Sequence, residues 1–316
     1  MEYVYLDLNM WIDLHMRDED DEVREQVEMA VENGEIALPI IHTILTEEAT
    51  FENEQMRKEV FDYMFELSAT HSLRPFTDVQ SFEIERFVRG IGGDFEYDLE
   101  ERVRGKGVDD LFGDWSLTID GEELDPEGEY QEVFEELNQM FQNRRGFEVT
   151  TGAVEQTVEE TGDWESELHE EIEKIIDDWD DHFDDNARRR RYAKYSYFYD
   201  SVFLPLAQRF VESNLYYNFG VYDFEEYVNQ GDEDVEDLFR LFPANYTYVT
   251  LTNAADLQDG RKPNDVYDLF SLAVAIPYCD IVVTENVWRT ESERAGLTET
   301  YGTEVVSSLD DLTNLI

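Results

Sequence analysis

Cysteine is almost missing from this chain. Cys279 stands alone, so no internal disulfide can form. Lysine is scarce as well: Lys58, Lys106, Lys174, Lys194 and Lys262 are the whole set, and arginine supplies the rest of the 24 basic residues. No apolar run reaches the ~18 residues that a membrane-spanning helix needs. The sequence given opens directly on a strand-like run, so no targeting segment is expected. His15, His42, His71, His169 and His182 show no metal-ligand spacing. These absences exclude a disulfide scaffold and a helical membrane protein. The expectation is a soluble, cytoplasmic chain with no membrane partner and no organic cofactor.

What is present is acid. The sequence carries 77 acidic residues and a formal net charge of −53. Such self-repulsion opposes collapse, yet 41% hydrophobic and 14% aromatic residues are ample for a core. An acid-coated, lysine-poor, aromatic-rich chain fits a halophilic, high-salt cytoplasm. At ~1 M salt the Debye length is only about 3 Å, so the repulsion is screened. The charge would oppose nucleic acid in ordinary buffer. In molar salt short contacts decide instead.

Along the chain, "EYVYLDL" reads as a strand and "NMWIDLHM" as the start of a helix, with Asn9 as its N-cap. Val23, Val27, Ala30 and Val31 have helical spacing, and Gly34 follows as a stop. "IALPI" is a second strand, a helix carrying Glu47 and Glu48 follows, and "SLRPF" is extended. Near the C-terminus, "YTYVTLT" reads as extended, "NDVYDLFSLAVAIPY" as a helix capped by Asn264, and "DIVVT" as a strand buried on both faces. "VWRTESERAGLTETYG" is a helix and turn, "TEVVSS" a strand and "LDDLTNLI" a closing helix. Alternating strands and helices predict an α/β fold with a parallel sheet. Residues 81–243 differ: they are acidic and mainly helical, with a glycine-bearing loop at "RGIGGDFEYDLEERVRGKGVDDLFGDWS". Residues 1–80 and 244–316 are therefore read as one discontinuous α/β domain, and 81–243 as an insertion.

Carboxylates gather at the predicted carboxyl ends of these strands, where parallel sheets build their sites. Asp7 closes the first strand, and Glu47 lies on the helix after the second. Asp265 and Asp268 share a helix face, and Glu285 with Asn286 follows "DIVVT". Converging carboxylates repel unless a cation joins them. Oxygen-only ligands suit Mg²⁺ or Mn²⁺, and such ions polarise phosphodiesters and activate water. Each acid also has a plainer reading in so acidic a chain, because carboxylates favour helix starts. That reading fits Asp7 and Asp268 least, since apolar residues flank both.

In order, "YLDLNMWIDL", "LPIIHTILTEEA", "NDVYDLFSLAVAIPYCDIVVTENVW" and "YGTEVVSSLDDLTNLI" resemble the successive segments of PIN-like domains, a large branch with a long insert between its halves. The resemblance covers residues 1–75 and 246–316. It implies a Rossmann-like three-layer α/β/α fold with a mostly parallel sheet of about five strands, and a Mg²⁺ or Mn²⁺ site. It also implies endoribonuclease activity, a hydrolase cleaving single-stranded or loop RNA. Asp7, Glu47, Asp268 and Glu285 would hold the metal, with Asp265 as a further catalytic carboxylate. Glu47 fits the family position better than Glu48. Asn9 would orient Asp7, and Thr284 belongs to the Thr-x-Asp motif. The chain departs from that motif at Asn286, where the family has Asp and where Glu285 would substitute.

Positive charge concentrates at Arg188, Arg189, Arg190, Arg191 and Lys194, beside Tyr195, Tyr197, Phe198 and Tyr199. Arginine with aromatics suits RNA; the plainer reading, which weighs more, pairs these arginines with the acidic stretch just upstream and puts the tyrosines in the core or on a half-buried helix face. The leading expectation is a metal-dependent endoribonuclease in which water attacks phosphorus with no covalent enzyme intermediate. The alternative, motivated by Asn286, is a PIN-like RNA- or protein-binding module with weak or no nuclease activity. A phosphoryl-acceptor domain needs a lysine after a later strand, and none follows "DIVVT". A homodimer is compatible with the sequence.

Overall fold

The computed structural model describes residues 1–48, 54–91, 97–107, 110–111, 118–119, 122–123, 186–206, 231, 233–255 and 265–316. The chain opens with β1 (Glu2–Leu6), whose Val4, Tyr5 and Leu6 are all buried, as a central strand requires. Helix α1 (Leu8–Met16) follows at once. Its N-cap is Asp7, not Asn9: Asp7 has extended backbone, and its carboxylate accepts the Met10 N–H at 3.0 Å. The helix therefore starts as soon as the strand ends, because a strand-terminal Asp can cap it directly. Helix α2 (Glu22–Glu32) ends at Asn33, and Gly34 takes the left-handed conformation (φ 70°) expected of a helix stop.

Strand β2 (Ile36–Ala37) leads to α3 (His42–Glu48), α4 (Glu54–Ser68), β3 (His71–Leu73) and α5 (Phe76–Ile91). Then come α6 (Leu99–Val103), β4 (Arg104–Lys106), β5 (Thr118–Ile119) and β6 (Glu122–Glu123). The "RGIGG…" stretch is thus not all loop: α6 and β4 lie within it. Next are α7 (Asn186–Phe198), which continues as a π-helical turn at Tyr199–Phe203, then α8 (Glu233–Arg240) and α9 (Pro243–Ala255). The remaining elements are α10 (Asp265–Tyr278), β7 (Ile281–Val283), α11 (Asn286–Arg294), α12 (Leu297–Tyr301), β8 (Glu304–Val306) and α13 (Leu309–Thr313).

The central sheet has the order β2-β1-β7-β8 and every pairing is parallel. Among the described residues it has four strands rather than five. "SLRPF" does supply β3, but β3 pairs antiparallel with β4, and its backbone joins the segment after β2 through a parallel bridge between Ile40 and Ser72. The molecule is therefore mostly helical around a four-stranded parallel sheet, an α/β architecture.

"YTYVTLT" is not a strand. It is the body of α9, which packs against α5, α7, α8, α10 and α11. Its β-branched and aromatic residues favour a strand locally, but packing overrides so weak a preference. Two further features fix the helix. Pro243 occupies the first position, where its missing N–H does no harm. The buried Glu83 of α5 then accepts from the backbone N–H groups of Ala244 at 2.6 Å and Asn245 at 3.5 Å, serving as a cap supplied from another helix. Helix α10 is apolar nearly all round, and Leu269, Leu272, Ala273, Val274, Ala275 and Ile276 are all buried, as a central helix should be. The expected boundary at residue 81 falls inside α5, which packs on both α9 and α10.

Candidate functional site

Strand order fixes where a site can form. From β1 the chain first builds outward to β2, then returns past β1 to lay down β7 and β8 on the other side. The order reverses between β1 and β7, and the carboxyl ends of strands at such a point are where open parallel sheets place their sites. The two strands end level: Leu6 pairs with Val283, and the Asp7 N–H donates to the Val283 carbonyl at 3.1 Å. Asp7, Thr284 and Glu285 are the residues that follow.

Asp7 is only 5% exposed. Burial pushes its carboxyl up to about 6, and the nearby Glu285 carboxylate adds to the rise. The Met10 N–H and the Thr284 hydroxyl pull the other way. Thr284 is buried, so the hydroxyl beside Asp7 is shielded from water. Glu285 is exposed and forms the N-cap of α11. The side chain of Asn9, the second residue of α1, donates from Nδ2 to Glu285 Oε1 at 3.0 Å. Asn9 thus orients Glu285, not Asp7. The reason is geometric: Asp7 caps the helix that carries Asn9, while Glu285 faces that helix from the neighbouring strand end.

Asp268 is half-buried on α10 and accepts the Trp288 indole N–H at 3.0 Å. Trp288 stands three residues after Glu285, so Asp268 lies against the first turn of the helix that Glu285 caps. A hydroxyl contact of 2.5 Å between Thr43 and Ser271 ties α3 to α10. Glu47 is one turn after Thr43, and Asp268 is one turn before Ser271. Asp265 is the first residue of α10 and Asn286 the exposed first residue of α11. The side chains of Glu47 and Asp265, and all of Asn264, lie outside the described residues. Among the described residues no group of three His, Cys, Asp or Glu side chains is arranged to hold a metal. Asp7 beside Glu285 is nonetheless a hard-oxygen pair whose mutual repulsion a divalent cation would relieve.

The basic run is α7, and its residues have separate environments. Arg188 and Arg190 are exposed, while Arg189 is 7% exposed. Lys194 pairs with Glu236 of α8 at 2.5 Å and lies over the Tyr246 ring. The acidic stretch upstream of α7 lies outside the described residues. Tyr197 and Phe198 pack inward: Phe198 stacks on Phe239, and the Tyr197 hydroxyl donates to Asn245 Oδ1 at 2.9 Å.

Sequence reasoning missed Glu83. It was one acid among many, yet it falls on the apolar stripe of α5 between Phe76, Val79 and Phe87. A lone carboxylate at such a position was the available signal. The chain matches no known protein family, no curated protein and no solved structure.

Proposed function

We propose that the chain is a PIN-like, divalent-cation-dependent endoribonuclease acting on single-stranded or loop RNA. The observation that supports this reading best is Asp7: a buried carboxylate at the switch point of a parallel sheet, next to a second carboxylate. Left alone, that pair carries desolvation and like-charge repulsion that the Met10 N–H, the Thr284 hydroxyl and the Asn9 amide offset only in part. Asp7 and Glu285 would hold Mg²⁺ or Mn²⁺ together with Asp268, and Glu47 and Asp265 stand on the helices that would complete the ligand set. A fifth strand and three full layers belong to the same proposal.

Bound there, such an ion supplies Lewis-acid polarisation of a phosphodiester and a water that ionises at neutral pH. The chain's own residues do the rest. Thr284 and the Met10 N–H favour the charged form of Asp7, so it presents an ionised oxygen despite burial. Asn9 fixes Glu285, and Trp288 fixes Asp268, so both carboxylates keep one orientation without substrate. Arg188 and Arg190 offer exposed guanidiniums for RNA phosphates.

The test is Mn²⁺-dependent cleavage of single-stranded RNA in molar salt. Asp7→Asn and Asp268→Asn should each lower cleavage by at least about 100-fold, a barrier change of roughly 3 kcal/mol. Undiminished cleavage in both variants overturns the proposal. The second reading, a binding module without cleavage, is favoured by the Trp288 bond that occupies one Asp268 oxygen and by the Asn at position 286. RNA retention by a wild-type protein that cleaves nothing would select it.

A further inference from the structure

At the far end of α11 from Glu285, residues of α7, α8, α9 and α11 line a cavity of about 230 Å³. Arg190, Arg191 and Lys194 come from α7, and Arg294 comes from α11. Three of these four cations are already engaged. Lys194 pairs with Glu236, Arg294 pairs with Glu291 at 3.0 Å, and Arg191 is not free either. One positive charge is left over. Arg190 is exposed and has no hydrogen bond or ion pair among the described residues. The charge it does meet is of its own sign: burial pushes the Lys194 ammonium down, and Arg190 adds to that push.

The α9 wall leaves two neutral donors unused. Asn253 is only 8% exposed, and its Nδ2 donates to nothing among the described residues. One turn earlier, the buried hydroxyl of Thr250 is likewise without a partner there. Both residues line the cavity, and α9 packs against α7, which carries Arg190. Buried donors are nearly always satisfied, so an unused pair in the same wall as an unpaired arginine calls for an acceptor from outside. The surplus charge and the three donor groups define that acceptor. It carries one negative charge and offers at least two oxygens.

We propose that this cavity binds the carboxylate of a small monocarboxylic acid, with Arg190 as its ionic contact and the Asn253 Nδ2 and Thr250 hydroxyl as its neutral donors. An ionised carboxylate carries one charge, and its two oxygens accept up to about four hydrogen bonds. The planar guanidinium fork matches that group. A phosphodiester also carries one charge, but it brings a substituent on either side. A carboxylate brings only one, so it can enter oxygens first and reach a donor as deeply placed as Asn253. Ala254 and Ala295 supply small apolar wall for the body of the acid. The site lies at the opposite end of α11 from the strand-end carboxylates and does not depend on the nuclease reading.

Calorimetric titration of the intact chain in molar KCl with propionate, propionamide and dimethyl phosphate tests this. Chloride is present throughout, so a saturable signal is selective for the added anion. One saturable site is expected for propionate, with no binding of the isosteric amide and at least about tenfold weaker binding of the diester. Arg190→Gln removes an exposed side chain with no described ion pair, so the variant should fold normally. It should weaken propionate about tenfold or more. Asn253→Ala should weaken it less, by about threefold. The absence of a saturable propionate site in the wild-type chain overturns the proposal. So does propionamide or dimethyl phosphate binding as tightly as propionate, or unchanged propionate affinity in Arg190→Gln.

Discussion

Glu83 and Asp7 are both buried carboxylates, and their surroundings differ in kind. Glu83 is fully buried and collects donors from two other helices: the Ala244 N–H, the Asn245 N–H and Nδ2, and the Tyr278 hydroxyl at 2.7 Å. It also sits at the positive end of the α9 dipole. Burial still pushes it up to about 7, but every donor pulls it back. Asp7 has the Met10 N–H at 3.0 Å, with lesser support from the Thr284 hydroxyl and the Glu285 N–H, and a like charge nearby. Glu83 joins α5 to α9 and α10. Asp7 lies at the carboxyl end of a central strand with another carboxylate nearby. A buried acid surrounded by donors is a structural joint, while one left beside another acid is suited to receive something from outside.

The contrast is open to direct attack, beginning with the largest effect. Glu83→Ala should destabilise the fold by about 3–5 kcal/mol, because several buried donors lose their acceptor at once. Glu83→Gln should lose less, roughly 1–3 kcal/mol, since its amide places a donor among donors. Denaturant midpoints in molar KCl would measure both, and a neutral Glu83→Ala would end the view of this residue as a joint.

Asp7→Asn should behave oppositely. Asp7's carboxyl stands at about 6 in the fold against 3.8 in the unfolded chain. The folded protein therefore holds this proton longer than the unfolded one does. Its stabilising contribution is complete below pH 3.8 and disappears as pH rises to about 6. Asn keeps the helix cap without the charge. At pH 7 and without metal the variant should be more stable by about 2–3 kcal/mol, with the gain vanishing near pH 4. Saturating Mn²⁺ should raise the melting temperature of the wild type and leave Asp7→Asn unmoved. A destabilised Asp7→Asn at pH 7 would place Asp7 with Glu83, among the structural joints.

Smaller effects sharpen the picture. Glu285→Gln removes the like charge, so the Asp7 carboxyl should titrate lower, as read by carboxyl chemical shifts. Asn9→Ala breaks only an exposed hydrogen bond, so stability should change by less than about 1 kcal/mol. Its effect should appear in Mn²⁺ affinity, through a less ordered Glu285.

Much of the fold was legible. β1 and β7 announce themselves as short apolar runs bounded by polar residues, and α10 as a long apolar helix. Asp7 and Glu285 were legible too, since a carboxylate that ends a buried strand must lie at the sheet's carboxyl edge. Asp268's bond to Trp288 was not, because nothing local links residues twenty apart. The strand-like reading of "YTYVTLT" failed because its side chains are buried by five other helices, information that no local window contains. The cap of α1 was misread by two residues because Asn9 and Asp7 are both good caps, and only the strand's end distinguishes them.

The sequence by itself determined the elements that carry strong periodicity, the acidic surface, and the set of carboxylates at strand ends, because each depends on neighbours along the chain. Tertiary structure alone decided which acid became a joint and which was left beside another acid. It also decided that Asn9 serves Glu285, and that arginines from α7 and α11 meet around Asn253. Desolvation and hydrogen bonding are set by what packs around a group, and in this chain those partners are as much as 293 residues away.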